Sequence, residues 1–186
     1  MDISIIKIQD HKSPVTIVFL WGMMGVGKSK TGKRLAQKLG WKFVDTDALI
    51  EKQTERNVAQ IFSENGEAYF RQLEEEVLLD AVRLQHVVVA TGGGMPCDRN
   101  LASIMLNAGL CIWLEAEPKF LASRLSKGIE TRPLLSGCKT ETSLIVRLSE
   151  LIEFRNPFYS EANWRVQAMD LNVSNLAQAV KQLSVR

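Results

Sequence analysis

The chain has 186 residues, 46% hydrophobic and 24% charged, ordinary values that suit one well-buried core and a single domain over residues 1–186. A formal net charge of +2, with no concentrated basic stretch, argues against a nucleic-acid partner. Three scattered cysteines beside two histidines argue against a zinc or disulfide framework and for a reduced, cytoplasmic setting, and no signal-like segment or run of about 18 apolar residues points to a membrane.

In chain order, Val15 to Leu20 (VTIVFL) is a continuous apolar run, as expected of a parallel strand buried on both faces. Directly after it, Gly22 to Ser29 reads Gly-Met-Met-Gly-Val-Gly-Lys-Ser and fits G-x-x-x-x-G-K-[ST] at every fixed position. That pattern points to a nucleoside triphosphate with its Mg2+ ion. Gly25 and Gly27 let the backbone curl around phosphates, Lys28 reaches the β- and γ-phosphates, and the Ser29 hydroxyl suits the metal. Thr31 to Leu39 has helical spacing, so the loop lies between a strand and a helix.

A second strand, Lys42 to Asp45, runs into Asp45-Thr46-Asp47, and the two carboxylates share a side if the extended geometry persists. One could hold magnesium through water while the other accepts the proton of an attacking hydroxyl. Capping of a helix that begins near Ala48 is the alternative. From Glu67 onward, Phe70, Leu73, Val77, Ala81 and Leu84 recur on one helix face. Arg71 and Glu74 stand three apart on that helix, which by spacing alone reads as a solvated surface pair. His86 to Ala90 is the third strand, and Thr91-Gly92-Gly93-Gly94 after it admits either a close approach to a ligand or a tight turn, with Asp98 capping the next helix.

Leu110 to Leu114 and Arg165 to Met169 complete five strands that alternate with helices, the pattern of an α/β protein with a parallel sheet. Ser126 to Glu141 lacks steady periodicity and reads as a lid-like insertion. A helix follows from Thr142 to Phe154, which Asn156-Pro157 ends or bends, and another from about Asn175 to Leu183. His86, Trp41, Trp113 and Trp164 read as structural.

The loop, Asp-x-Asp, Gly-Glu-x-x-Phe-Arg-x-x-Glu, the triple glycine, Arg132-Pro133-Leu134-Leu135 and Arg155-Asn156-Pro157-Phe158-Tyr159 occur in the order seen in shikimate kinases, a family this chain resembles over residues 15 to 160. The resemblance implies a three-layer α/β/α fold of the nucleoside-monophosphate-kinase type with a P-loop and strand order 2-3-1-4-5. It implies a monomer that phosphorylates the 3-hydroxyl of shikimate from MgATP. Gly25, Val26, Gly27, Lys28, Ser29, Lys30 and Arg132 would then bind ATP. Asp47, Arg71, Gly92, Gly93, Gly94 and Arg155 would bind shikimate, with Asp47, Lys28 and Arg132 catalytic and Ser29 and Asp45 on the metal side.

Lys30 stands where the family usually has threonine, and Asp170 to Ser174 lacks the proline often found near adenine, so the adenine contacts stay unassigned. A gluconate kinase would share the loop and Asp-x-Asp but places His-Pro where this chain has Ile50-Glu51. A non-catalytic relative would be expected to have lost one of the charged positions, and all are present.

Overall fold

The computed structural model describes residues 6–7, 14–126 and 132–184. The strands are β1 (Ile6–Lys7), β2 (Ile17–Trp21), β3 (Lys42–Asp45), β4 (Val87–Ala90), β5 (Leu110–Glu115) and β6 (Trp164–Gln167). They form one sheet in the order β1-β6-β5-β2-β4-β3. The pairings from β3 to β6 are parallel, and β1 adds a short antiparallel edge. Numbering the five predicted strands in chain order returns 2-3-1-4-5. The two-residue β1 has no period to read, which is why the sequence left it out.

The helices are α1 (Lys28–Leu39), α2 (Thr46–Thr54), α3 (Val58–Ala81), α4 (Arg99–Ala108), α5 (Pro118–Leu125), α6 (Glu141–Tyr159) and α7 (Val173–Ser184). Every residue of β2 and β4 is buried. Since successive side chains on a strand point to opposite faces, both faces of the sheet must be covered, and the continuous apolar runs follow from that. Because β2 is central, with β3 and β4 to one side and β5 and β6 to the other, the loop after β2 lies where strand order reverses. Ligands in open parallel sheets bind at such a point, outside the carboxyl ends of the strands. No helix among the described residues is long and apolar enough to cross a membrane.

Three local readings change. The helix expected from Glu67 is the second half of α3; a first half begins at Asn57, whose side chain and Gln60 form a capping box, and the two halves meet at Gly66 with φ 79°. Pro157 does not end α6, which runs on to Tyr159. Proline forfeits one helical hydrogen bond, but Pro157 is exposed while Arg155 and Tyr159 on either side are buried, so packing of the inner face carries the helix past it. In the predicted lid, residues 127–131 lie outside those described, whereas Pro133–Leu135 forms a 3-10 turn anchored by a fully buried Leu135 and by the Arg147 Nε donating to the Leu134 carbonyl at 3.2 Å. Cys97, Cys111 and Cys138 are all free thiols. Asp98 caps α4 as expected, accepting from the Asn100 and Leu101 N–H groups.

The junction of α4 and β5 is tight enough to test. A Cβ on Gly109 would lie 2.5 Å from the Ile17 carbonyl oxygen and 2.8 Å from its Cβ, against backbone that cannot step aside. Gly109→Ala is expected to destabilise the protein by about 1–3 kcal/mol, the usual cost of overpacking, measured as a lower urea midpoint with an unchanged slope.

Candidate active site

The phosphate loop leaves β2 at Trp21 and closes on Gly27, which caps α1 with φ 103°, a conformation that strains any residue with a side chain. No side chain caps the first turn of α1, so its N–H groups and the positive end of the helix are left for an anion. Lys28 Nζ folds back onto its own loop, donating to the carbonyls of Gly22 at 2.8 Å and Met23 at 3.1 Å. Burial pulls this ammonium down to about 8, while the carboxylates of Asp47 and Asp45 act in the opposite sense and the charges of Arg155 and Arg132 add to the lowering. All four groups therefore act on Lys28. Ser29 and Lys30 are exposed at the start of α1, and Val26 is buried.

After β3 the extended geometry does not persist, because α2 begins at Thr46. Asp45 is the helix cap, accepting from the Ala48 N–H at 3.3 Å, and Asp47 stands in the first turn. The capping alternative thus falls to Asp45, which keeps a second carboxylate oxygen. Asp47 Oδ1 is buried and has no hydrogen-bond partner among the described residues. Burial raises the Asp47 carboxyl above its ordinary range, with Lys28 opposing the shift. The Thr46 hydroxyl between the two aspartates accepts from the Gly92 N–H at 2.9 Å.

That bond begins a glycine turn in which each carbonyl is spoken for. The Gly92 carbonyl accepts from Met95 N–H at 3.3 Å, Gly94 from Cys97 N–H at 2.9 Å, and Gly93 from the Tyr159 hydroxyl at 2.6 Å. The N–H groups of Gly93 and Gly94 donate to no other group among the described residues. Close approach explains the first glycine: a Cβ on Gly92 would lie 2.7 Å from Asp47 Oδ1 and would collide with Glu74 Oε1.

Arg71 and Glu74 are not the surface pair that their spacing suggested. Glu74 is fully buried, its Oε2 accepts from Arg71 Nη1, and its Oε1 has no partner among the described residues. Burial lifts the Glu74 carboxyl to about 7, against the lowering effect of Arg71. Glu67 accepts from the other arm of the same guanidinium at 2.6 Å. On α6, Arg155 is only 5% exposed, and its Nη1 lies 3.5 Å from the Met23 sulfur of the phosphate loop.

A cavity of about 850 Å3 gathers Asp47, Arg71, Gly92, Gly93, Gly94, Arg132 and Arg155, with Phe62 and Phe70 supplying an apolar side. Gly25, Val26, Gly27, Lys28, Ser29, Lys30 and Asp45 lie outside its walls. Lys28 nevertheless couples electrostatically to Asp47, so the phosphate loop and the cavity adjoin. For a cation, the Ser29 hydroxyl and the free oxygen of Asp45 are hard donors of the kind Mg2+ takes while it keeps several waters and phosphate oxygens.

The sequence reading passed over Arg124, whose Nη1 donates to the carbonyls of Gly25 at 3.3 Å and Val26 at 2.9 Å. Nothing in local spacing marks a contact between residues so far apart in the chain. It also passed over Tyr159, although the tyrosine closes a motif already singled out.

A family model described as shikimate kinase matches residues 24–184. The shikimate kinase of Bacteroides fragilis is 39% identical over 167 residues, covering 89% of this chain and 93% of the relative. That of Gloeobacter violaceus is 40% identical over 91% of this chain and 93% of its own length. Among solved structures, shikimate kinase from Bacteroides thetaiotaomicron superimposes with a TM-score of 0.81 at 34% identity, covering 92% of this chain and 99% of that one. Shikimate kinase from Acinetobacter baumannii in complex with shikimate gives 0.79 at 30% identity, covering 92% and 93%. The order of the motifs, the strand order and these likenesses agree: the chain belongs to the shikimate kinase family.

Proposed function

We propose that this chain binds MgATP and shikimate and transfers the γ-phosphate to the 3-hydroxyl, giving shikimate 3-phosphate and ADP, as a monomeric, cytoplasmic enzyme of chorismate and aromatic amino-acid biosynthesis. One observation carries the reading. A buried, unpartnered carboxylate oxygen on Asp47 shares a cavity with two arginines and adjoins the phosphate loop. A carboxylate substrate that also presents hydroxyl groups answers both halves of that chemistry.

The geometry supports a role for each residue. Arg71 and Arg155 bind the shikimate carboxylate, the first braced by Glu74 and Glu67 so that its planar fork is already oriented. Asp47 Oδ1 accepts the hydrogen bond, then the proton, of the attacking hydroxyl. The N–H groups of Gly93 and Gly94 face the acceptor ring and its hydroxyls. Lys28 leaves the Gly22 and Met23 carbonyls for the β- and γ-phosphate oxygens, exchanging two neutral acceptors for anionic ones. Arg132, which lines the cavity beside Pro133 and Leu134, offsets charge developing on the transferred group. Mg2+, held by Ser29 and, through water, by Asp45, supplies charge neutralisation at the phosphates when it is bound.

A coupled ADP-release assay with shikimate, gluconate and nucleoside monophosphates tests the reading; turnover with shikimate alone is the expected result. Asp47→Asn should lower turnover by about 10² or more while ATP affinity stays nearly intact, in keeping with typical acid–base contributions. The sign with pH follows from the raised Asp47 carboxyl: the base is competent when ionised, so turnover falls as pH drops through its raised value. That acid limb should disappear from the residual activity of Asp47→Asn. Arg71→Ala or Arg155→Ala should weaken shikimate binding by about 2–5 kcal/mol, the cost of stranding a desolvated charge partner, read by calorimetry. Unchanged affinity in both variants would remove the clamp.

A further inference from the structure

The motif that ends in Tyr159 supplies a clamp cation at its start, and its last residue has no part in the chemistry so far. We infer that Tyr159 is a positioning residue for the acceptor: its hydroxyl fixes the peptide between Gly93 and Gly94 so that the glycine turn presents its free N–H groups to shikimate. The inference rests on the reading of the site given under Proposed function.

The argument starts from the peptide plane. In a trans peptide the C=O and the N–H point in opposite directions, and the described chain has no cis peptide bond. The Gly92 carbonyl is tied back by the Met95 N–H, which turns the Gly93 N–H the other way. The next peptide has no such internal tie. Its carbonyl, on Gly93, is held instead by the Tyr159 hydroxyl at 2.6 Å, and this sets the Gly94 N–H on the side away from α6. Glycine peptides flip at little steric cost, so a turn of three glycines needs an outside anchor to hold one orientation. Tyr159 is that anchor, and it joins the turn to the helix that carries Arg155.

The anchor is itself held. Tyr159 is 1% exposed, and its ring lies against Trp113 with centroids 5.9 Å apart at 42°. The Arg165 guanidinium covers the same indole at 4.9 Å, and both of its arms are fixed to Glu115, at 2.6 and 2.5 Å. Burial pushes the phenol well above its usual range, so the O–H stays a donor at any pH the enzyme meets. On its other side the hydroxyl lies 3.7 Å from the Met23 sulfur, the atom that Arg155 also touches. Loss of the hydroxyl alone would leave the ring packing in place, release one peptide and remove the contacts with Met23 and Arg155, so the glycine amides report on the anchor itself.

Tyr159→Phe in the 186-residue chain tests this. The KM for shikimate is expected to rise about 10-fold, the effect of losing roughly one hydrogen bond's worth of alignment, while kcat stays within about threefold and the KM for ATP does not change. A merely structural role would lower activity toward both substrates together with the unfolding midpoint, and that pattern overturns the inference, as does an unchanged shikimate KM. The amide resonances of Gly93 and Gly94 in 15N-labelled protein give a second readout that needs no turnover. They should shift or broaden in Tyr159→Phe, and their staying put would also overturn it. Wild-type protein that leaves shikimate unphosphorylated would instead sink the reading of the site, with the glycine amides still judging the anchor.

Discussion

The burial of charge at the carboxyl edge of the sheet governs the rest of this molecule. Lys28, Asp47 and Glu74 are all shifted toward their neutral forms, with desolvation the first cause each time and an oppositely charged neighbour resisting it. A buried charge is tolerated only when it is paired and hydrogen-bonded. The fold meets that condition unevenly. Glu74 has Arg71 on one oxygen and nothing on the other, and Asp47 has one oxygen with no partner at all. Burial without full pairing stores a demand for ligand. Unsatisfied acceptors and waiting cations stand in one cavity, and a substrate that brings hydroxyls and a carboxylate satisfies both kinds at once.

The same demand explains why glycine stands where it does. The approach of Gly92 to Asp47 and Glu74 leaves no room for a side chain, so the turn after β4 offers backbone, rather than a functional group, to the cavity. Backbone N–H groups are neutral donors, whereas another cation beside the two carboxylates would lower their pKa and weaken the base. Specificity is therefore divided. In the proposed site the arginines meet the substrate's charge, and the glycine turn meets its shape.

Much of this was legible in the residues. Apolar runs and helical periods gave the parallel strands in their places, because a strand buried on both faces leaves little freedom of composition. The charged positions were legible because five motifs kept their order around a phosphate loop. What stayed hidden depends on tertiary neighbours. An i,i+3 pair reads the same on any face of a helix, and it takes the fold, which brings the glycine turn against Glu74, to show that Glu74 is enclosed while Glu67 is not. Arg124 meets the phosphate loop across nearly a hundred residues of chain. Pro157 carries a local rule for stopping a helix, and the buried residues on either side of it override that rule.

That override bears on how the two halves of the site are kept in register. Arg155 and Tyr159 are four apart on α6, hence on one face, and both must point inward for the clamp and the glycine turn to share a support. A helix that stopped at Pro157 would keep the arginine and lose the tyrosine. By continuing one more turn, α6 brings a guanidinium and a phenol to the same Met23 sulfur, at 3.5 and 3.7 Å. Met23 belongs to the loop whose carbonyl holds Lys28. The phosphate loop, the arginine proposed for the clamp and the tyrosine that holds the glycine turn thus meet at one thioether, a soft group without a fixed hydrogen-bond direction that can stay in contact while its neighbours adjust. Phosphoryl transfer asks mainly that two substrates be held in line, and this contact is where the supports of the two touch.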